Sequence, residues 1–203
     1  MARGRKSNYI NKLTSKDQAM LRAFRNCGFL QKSHLQDKLG LSDRRIENFI
    51  RDQYIEKCVV DNNKTKEAEY VYRLSKKGQE LCKNHLNLSN FYASQSVRHD
   101  NALAKKYFEM SSEQQLSWLT ERDWRDRFEA KISDLRFQGK DQRADELISL
   151  YKRNLLSLPD GGYSNGESIV AVEVTTSSYG NEEIQAKENF TQIMNAKFHE
   201  IKI

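Results

Sequence analysis

Apolar positions in the first ninety residues recur with a helical period in some stretches and with strand-like density in others. In TSKDQAMLRAFRNCGFL, Ala19, Met20, Ala23 and Phe24 share one side, Thr14 or Ser15 supplies a start signal and Gly28 a stop; this predicts a helix. Residues 32–39 predict a short second helix, with Leu35 and Leu39 at i and i+4 and Gly40 as its end. Residues 42–54, SDRRIENFIRDQY, place Ile46, Phe49 and Ile50 at i, i+3 and i+4, one stripe facing a core, so Arg44, Asn48 and Arg51 point the other way. Ser42 serves as cap and Asp43 opposes the positive helix end. Residues 56–61 and 68–74 read as strands through Cys58, Val59 and Val60 and through Tyr70, Val71, Tyr72 and Leu74. Asn62 and Asn63 between them tolerate positive φ and suit a tight turn. Ser75 then caps a helix running through Leu81 and Cys82.

The second half follows a polar bridge, NLSNFYASQS, which places a domain boundary at residues 86–96. Leu103, Tyr107 and Met110 predict a helix over 99–110, and the alternation at Leu116, Trp118 and Leu119 predicts a strand before Glu121. A charged helical pattern covers 128–156, with Ile132, Leu135, Leu147, Ile148 and Tyr151 apolar and Gly139 as a break. Pro159 and Asp160 precede a Gly/Asn-rich turn; SIVAVEVTT then reads as a buried strand with Glu173 among valines. A helix over 181–195 and a strand over 198–203 complete the chain.

These elements predict an α+β protein. A basic flexible arm at 1–12 precedes a winged helix-turn-helix at 13–85, in which a two-helix unit presents its second helix to a major groove and the hairpin acts as wing. After the 86–96 linker, residues 97–203 form an α/β domain. Its predicted order of helix, three strands, helix and strand is that of the restriction-endonuclease-like core, whose motif is PD, a gap, then (D/E)xK.

Charge sharpens this division. The net charge is +6, but residues 1–84 carry 19 Lys and Arg against 10 Asp and Glu, and residues 85–203 carry 15 against 18. A basic first half suits a polyanion, because neutralised phosphates release condensed counterions. Candidate contacts to double-stranded DNA are Lys32, Arg44, Arg45, Asn48 and Arg51, Lys64 and Lys66 at the wing, and Arg3 and Arg5 in the arm, where a narrow minor groove attracts arginine. Such binding requires no cofactor. Asn48 is the candidate for pairing with adenine.

Other patterns exclude function classes. Cys27, Cys58 and Cys82 make an odd set with no CxxC, which signals neither a disulfide framework nor a zinc knuckle and predicts a cytoplasmic protein. The chain has no apolar run long enough for a membrane span and no secretory start, no phosphate-cradling glycine loop and no nucleophilic triad signature. His34, His85 and His199 have no metal-ligand spacing, and His99 with Asp100 reads as an interdomain or helix-capping pair. In the endonuclease-like half, Asp160 and Glu173 match the carboxylates that hold Mg2+ and activate water. Thr175 stands where the motif has lysine, and a hydroxyl cannot supply that charge. Lys187 on the following helix is the candidate replacement, with Glu109 or Glu121 as an added ligand. The domain therefore reads as a degenerate nuclease, with an active Mg2+-dependent endonuclease or nickase as the alternative.

The runs LTSKDQAMLRAFRNCGFLQKSHLQDKLG and YVYRLSKKGQEL, with the later HDNAL, TERDWR and PD…VEV, resemble the replication-relaxation family of bacterial mobile-element proteins, similar in layout to plasmid mobilisation accessory proteins. The resemblance spans residues 13–190, and its C-terminal string is the more specific part. It implies recognition of an origin or transfer region on a plasmid, conjugative element or phage, in conjugation or replication. The second domain would hold a relaxase, a replication protein or another copy of the chain. Regulation of transcription from its own promoter is a further alternative.

Overall fold

A computed structural model describes residues 9–61, 68–94 and 96–203. The fold is mixed α and β with two separate sheets, and the chain divides into two units, Met1–Phe108 and Glu109–Ile203.

In the first unit, α1 (Ser15–Cys27) starts where Thr14 and Asp17 cap each other's backbone amides, and ends at Gly28 with a φ of 78°. A short strand β1 (Leu30–Gln31) follows. The second predicted helix is present but wide: its turns at His34–Lys38 are π-helical. Helix α2 (Asp43–Arg51) begins where the Ser42 side chain accepts from the Arg45 amide, and it buries Ile46 and Phe49. Strands β2 (Ile55–Asp61) and β3 (Ala68–Leu74) pair antiparallel, and β1 adds to β3 to give the order β1-β3-β2. Helix α3 (Lys76–Leu86) is capped by Ser75. Met20, Leu21, Phe24, Leu35, Phe49 and Val71 are core residues.

Among its described residues, the expected linker at 86–96 instead packs against the first unit through residues 89–92. Phe91 and Tyr92 are buried, Arg25 Nε donates to the Ser89 carbonyl at 2.7 Å, and the Tyr92 amide donates to the Arg25 carbonyl at 2.9 Å. The helix that follows, α4 (Val97–Phe108), belongs to the first unit and packs on α1. Its Asp100 is fully buried and accepts from the Phe29 amide at 3.1 Å and from Ser94 Oγ. His99 Nδ1 lies 3.1 Å from the Tyr92 hydroxyl. The pair thus ties the turn after α1 to Tyr92 and Ser94 inside one unit, and the division falls after Phe108.

In the second unit, α5 (Ser112–Leu116) and α6 (Glu121–Phe137) flank a two-residue strand β4 (Leu119–Thr120), where the alternation predicts a longer strand. The capping boxes Ser111–Gln114 and Thr120–Asp123 start the two helices and leave little room for extended backbone. Gly139, at φ 72°, turns the chain into α7 (Asp141–Lys152). Residues expected to form a turn are strand β5 (Gly161–Ser164), followed by β6 (Ile169–Thr175), α8 (Asn181–Ile193) and β7 (Ala196–Lys202). The sheet order is β4-β5-β6-β7, with only β6 and β7 parallel. Because α6 and α7 separate β4 from β5, two consecutive strands precede α8, not three. Trp124, Phe128, Ala144, Leu147 and Phe190 pack over Ala171 of β6 as the core.

Candidate functional site

In the first unit, α2 turns its apolar stripe inward and leaves Arg44 and Arg51 exposed and Asn48 half-buried. The Arg51 guanidinium lies 5.6 Å from the Tyr9 ring. Asp52, just past the helix, is buried and accepts from the Tyr9 and Ile10 amides at 3.0 and 2.7 Å, so this end of the arm expected to be flexible is instead held beside α2. Lys32 sits 2.7 Å from Asp43. The hydrogen bond and charge of Asp43 raise the lysine pKa, and Lys32 in turn lowers that of Asp43.

Arg45 is not placed as a DNA contact. Its guanidinium pairs with the buried Asp17 at 2.6 Å, donates to the Lys12 carbonyl at 2.8 Å and lies over the Phe49 ring. Its Nε and Nη2 are engaged within the fold, and periodicity alone could not reveal this because Asp17 lies on another helix. Arg3, Arg5, Lys64, Lys66 and the turn at Asn62 and Asn63 lie outside the described residues.

The second unit brings Asp160, Glu173 and Lys187 together. Asp160, immediately before β5, is 1% exposed, and Glu173, in the adjacent β6, is 0% exposed. The Asp160 amide donates to Glu173 Oε2 at 3.0 Å, and the Val174 amide donates to Asp160 Oδ2 at 2.9 Å. From α8, Lys187 Nζ reaches Glu173 Oε1 at 2.8 Å and the Leu158 carbonyl at 2.6 Å. The Tyr179 hydroxyl, which the sequence pattern gave no reason to single out, donates to the same Glu173 oxygen at 3.3 Å. Burial first, then the charge of Asp160, push the Glu173 carboxyl up to about 7 against the opposing pull of Lys187. Burial and the negative charge of Glu173 raise the Tyr179 phenol above its ordinary value. Thr175 turns to the other partner of the sheet, its hydroxyl donating to Glu200 of β7 at 2.8 Å.

This arrangement places a cation beside the carboxylates even though Thr175 is not lysine. It does not fit a hydrated magnesium ion. That ion takes six oxygens in near-octahedral order and keeps several waters, whereas both Glu173 oxygens and Oδ2 of Asp160 already accept hydrogen bonds from groups of the protein. Among the described residues, no group of three or more His, Cys, Asp or Glu side chains is placed to hold a metal. Glu121 lies instead with Lys187 on a neighbouring cleft of about 390 Å3, and Glu109 is exposed. What the cluster does chemically is join β5, β6 and α8 through the hydrogen bonds of Asp160, Glu173 and Lys187.

No helix among the described residues is long and apolar enough to cross a membrane. No protein-family model matches the chain, and no curated protein matches it.

Proposed function

We propose that this protein binds double-stranded DNA sequence-specifically through its first unit, acting as a winged helix-turn-helix. The second unit, endonuclease-like in part of its layout, recruits a partner to the bound DNA without cutting it. The observation that carries the reading is the side of α2 opposite Ile46 and Phe49, where Arg44 and Arg51 are exposed and Asn48 is within reach of solvent. The antiparallel pair β2 and β3 follows in the position of a wing. The resemblance to the replication-relaxation family supplies the setting, an origin or transfer region of a mobile element, with a relaxase, a replication protein or a second copy as partner.

A second reading, a metal-dependent nuclease, is favoured by one observation, the 2.8 Å approach of Lys187 to Glu173. It requires the carboxylates to give up their buried hydrogen bonds first. One experiment separates the readings: incubation of purified protein with plasmid DNA, with and without Mg2+ or Mn2+, followed by footprinting. The binding reading expects a protected duplex and intact plasmid. Nicking that needs the metal and disappears in Asp160→Ala and Glu173→Ala would replace it. Within the binding reading, Asn48→Ala costs about 1–3 kcal/mol at one base pair. Arg44→Ala weakens all sequences alike and lowers the salt slope by about one.

A further inference from the structure

Strands β2 and β3 share a face on which Ile55 lies opposite Leu74, Lys57 opposite Tyr72 and Val59 opposite Tyr70. The face is closed at one end, where Ile55 and Tyr72 are buried, and open at the other, where Val59 is 61% and Tyr70 48% exposed. Lys57 Nζ stands 3.8 Å from the centre of the Tyr70 ring, a diagonal cross-strand cation–π contact. Between this face and α2 runs a cleft of about 530 Å3, bordered by Asp43, Ile46 and Glu47 on the helix and by Lys57, Tyr70 and Tyr72 on the sheet. That volume lies in the range of roughly 300–1,000 Å3 typical of small-ligand sites. Glu47 is one helical turn from Arg44 and from Arg51, so the cleft borders the side of α2 assigned above to duplex DNA.

Charge decides what the cleft suits. Lys32 and Lys57 are balanced by Asp43 and Glu47, and Lys32 is already paired with Asp43 at 2.7 Å. A phosphate gains little from a balanced cleft. A neutral, flat heteroaromatic ring gains an exposed tyrosine to stack on and, in Glu47, an acceptor for an exocyclic amine. Lys57 covers one face of the Tyr70 ring, and the half-exposed tyrosine offers its other face to the base.

We propose that this cleft takes an unpaired nucleobase stacked on Tyr70, and that the protein recognises duplex DNA next to an unpaired stretch in preference to continuous duplex. The inference rests on the reading of α2 as the duplex-binding helix. A base in paired duplex must first be unstacked to reach Tyr70; one in a bubble is already released, and that difference is the source of the preference.

The test is fluorescence anisotropy on the full chain at low salt, where binding to DNA of arbitrary sequence is strongest. The probes are a labelled duplex and the same duplex carrying an internal bubble. The bubble tightens binding about tenfold, Tyr70→Ala removes that gain without changing affinity for continuous duplex, and Tyr70→Trp retains it. 2-Aminopurine placed in the bubble is quenched by the wild type and not by Tyr70→Ala. Equal affinities for the two probes overturn the proposal, as does a gain that survives Tyr70→Ala. A Tyr70→Ala effect on self-association in sedimentation, with none on the bubble, assigns the patch to protein contact and overturns it too. If neither probe binds, the reading of α2 fails; if the duplex binds and the bubble adds nothing, only the present inference does.

Discussion

The Arg45 guanidinium holds the Asp17 carboxylate with two hydrogen bonds, Nε to Oδ1 at 3.0 Å and Nη2 to Oδ2 at 2.6 Å. The same carboxylate accepts from the Thr14 amide at 2.6 Å and the Thr14 hydroxyl at 2.7 Å. One acid therefore caps α1 and anchors α2 to it, which fixes the angle at which Arg44 and Asn48 are presented.

Removing the arginine leaves a buried carboxylate without its counter-charge. Breaking a fully buried pair costs about 3–5 kcal/mol; here the Arg45 side chain is 25% exposed, so Arg45→Ala is expected to cost about 2–3 kcal/mol in urea unfolding. Burial raises the Asp17 pKa, but hydrogen bonds from Arg45 and Thr14 and the Arg45 charge outweigh it and leave the value below the ordinary 3.8. With the folded value depressed, this stabilisation is present above the unfolded value and is lost as pH falls through the folded one. Arg45→Ala should thus lose stability at neutral pH and show a smaller further loss on acidification. Wild-type-like unfolding with lost DNA affinity would return Arg45 to the interface.

The first unit does not end where the sequence becomes polar. A fragment of residues 9–86 lacks the buried Phe91, Tyr92, Leu103 and Tyr107, each worth about 1.5–3 kcal/mol when fully buried. It also lacks Asp100, which holds the turn after α1. A fragment of residues 9–108 is expected to melt cooperatively and the shorter one to show no cooperative transition by circular dichroism. Equal melts would place the boundary back near residues 86–96.

What the sequence made legible was local. The Thr14 cap, the Ile46 and Phe49 stripe, the break at Gly139 and the valine-rich strand around Glu173 each depend on residues a few positions apart, and each is where the pattern places it. The capping box Thr120–Asp123 was equally local, but the alternating Leu116, Trp118 and Leu119 pointed to extended backbone instead. The allegiance of α4 to α1 and the pairing of Arg45 with Asp17 are long-range and leave no periodic trace. Lys187 was identifiable as a cation on the helix after β6. Its neighbours Tyr179 and the Leu158 carbonyl were not, because loop geometry brings them there.

Gly161 and Gly162 read as turn residues, yet they lie in β5 beneath two indoles. A Cβ on Gly161 would come 2.5 Å from Cζ2 of Trp118; one on Gly162 would come 2.7 Å from Cζ2 of Trp124 and 2.8 Å from the Val170 carbonyl oxygen. Rings reorient more readily than a strand backbone. Both alanine substitutions are expected to destabilise by about 1–3 kcal/mol, Gly162→Ala more than Gly161→Ala, as read by thermal melts. The reverse order would mean that Trp118 is held more rigidly than β6.

Glu173 gives the second unit a pH dependence opposite in sign to that of Asp17. Its carboxyl is pushed up to about 7 from 4.5, so between those values the folded chain holds a proton that the unfolded chain has released. Stability from this group is then full below 4.5 and is lost as pH rises through about 7. The rise from 4.5 to about 7, in which the pull of Lys187 is already contained, corresponds to a loss on the order of 3 kcal/mol across that window. Glu173→Gln keeps the shape and an acceptor oxygen but cannot ionise, so it removes the dependence. The measurement is the melting temperature of wild type and Glu173→Gln from pH 5 to pH 8: their difference should shift in favour of the variant as pH rises. A difference that stays constant, or moves the other way, would show that Lys187 keeps Glu173 ionised throughout, as the nuclease reading requires of a carboxylate free to meet a metal.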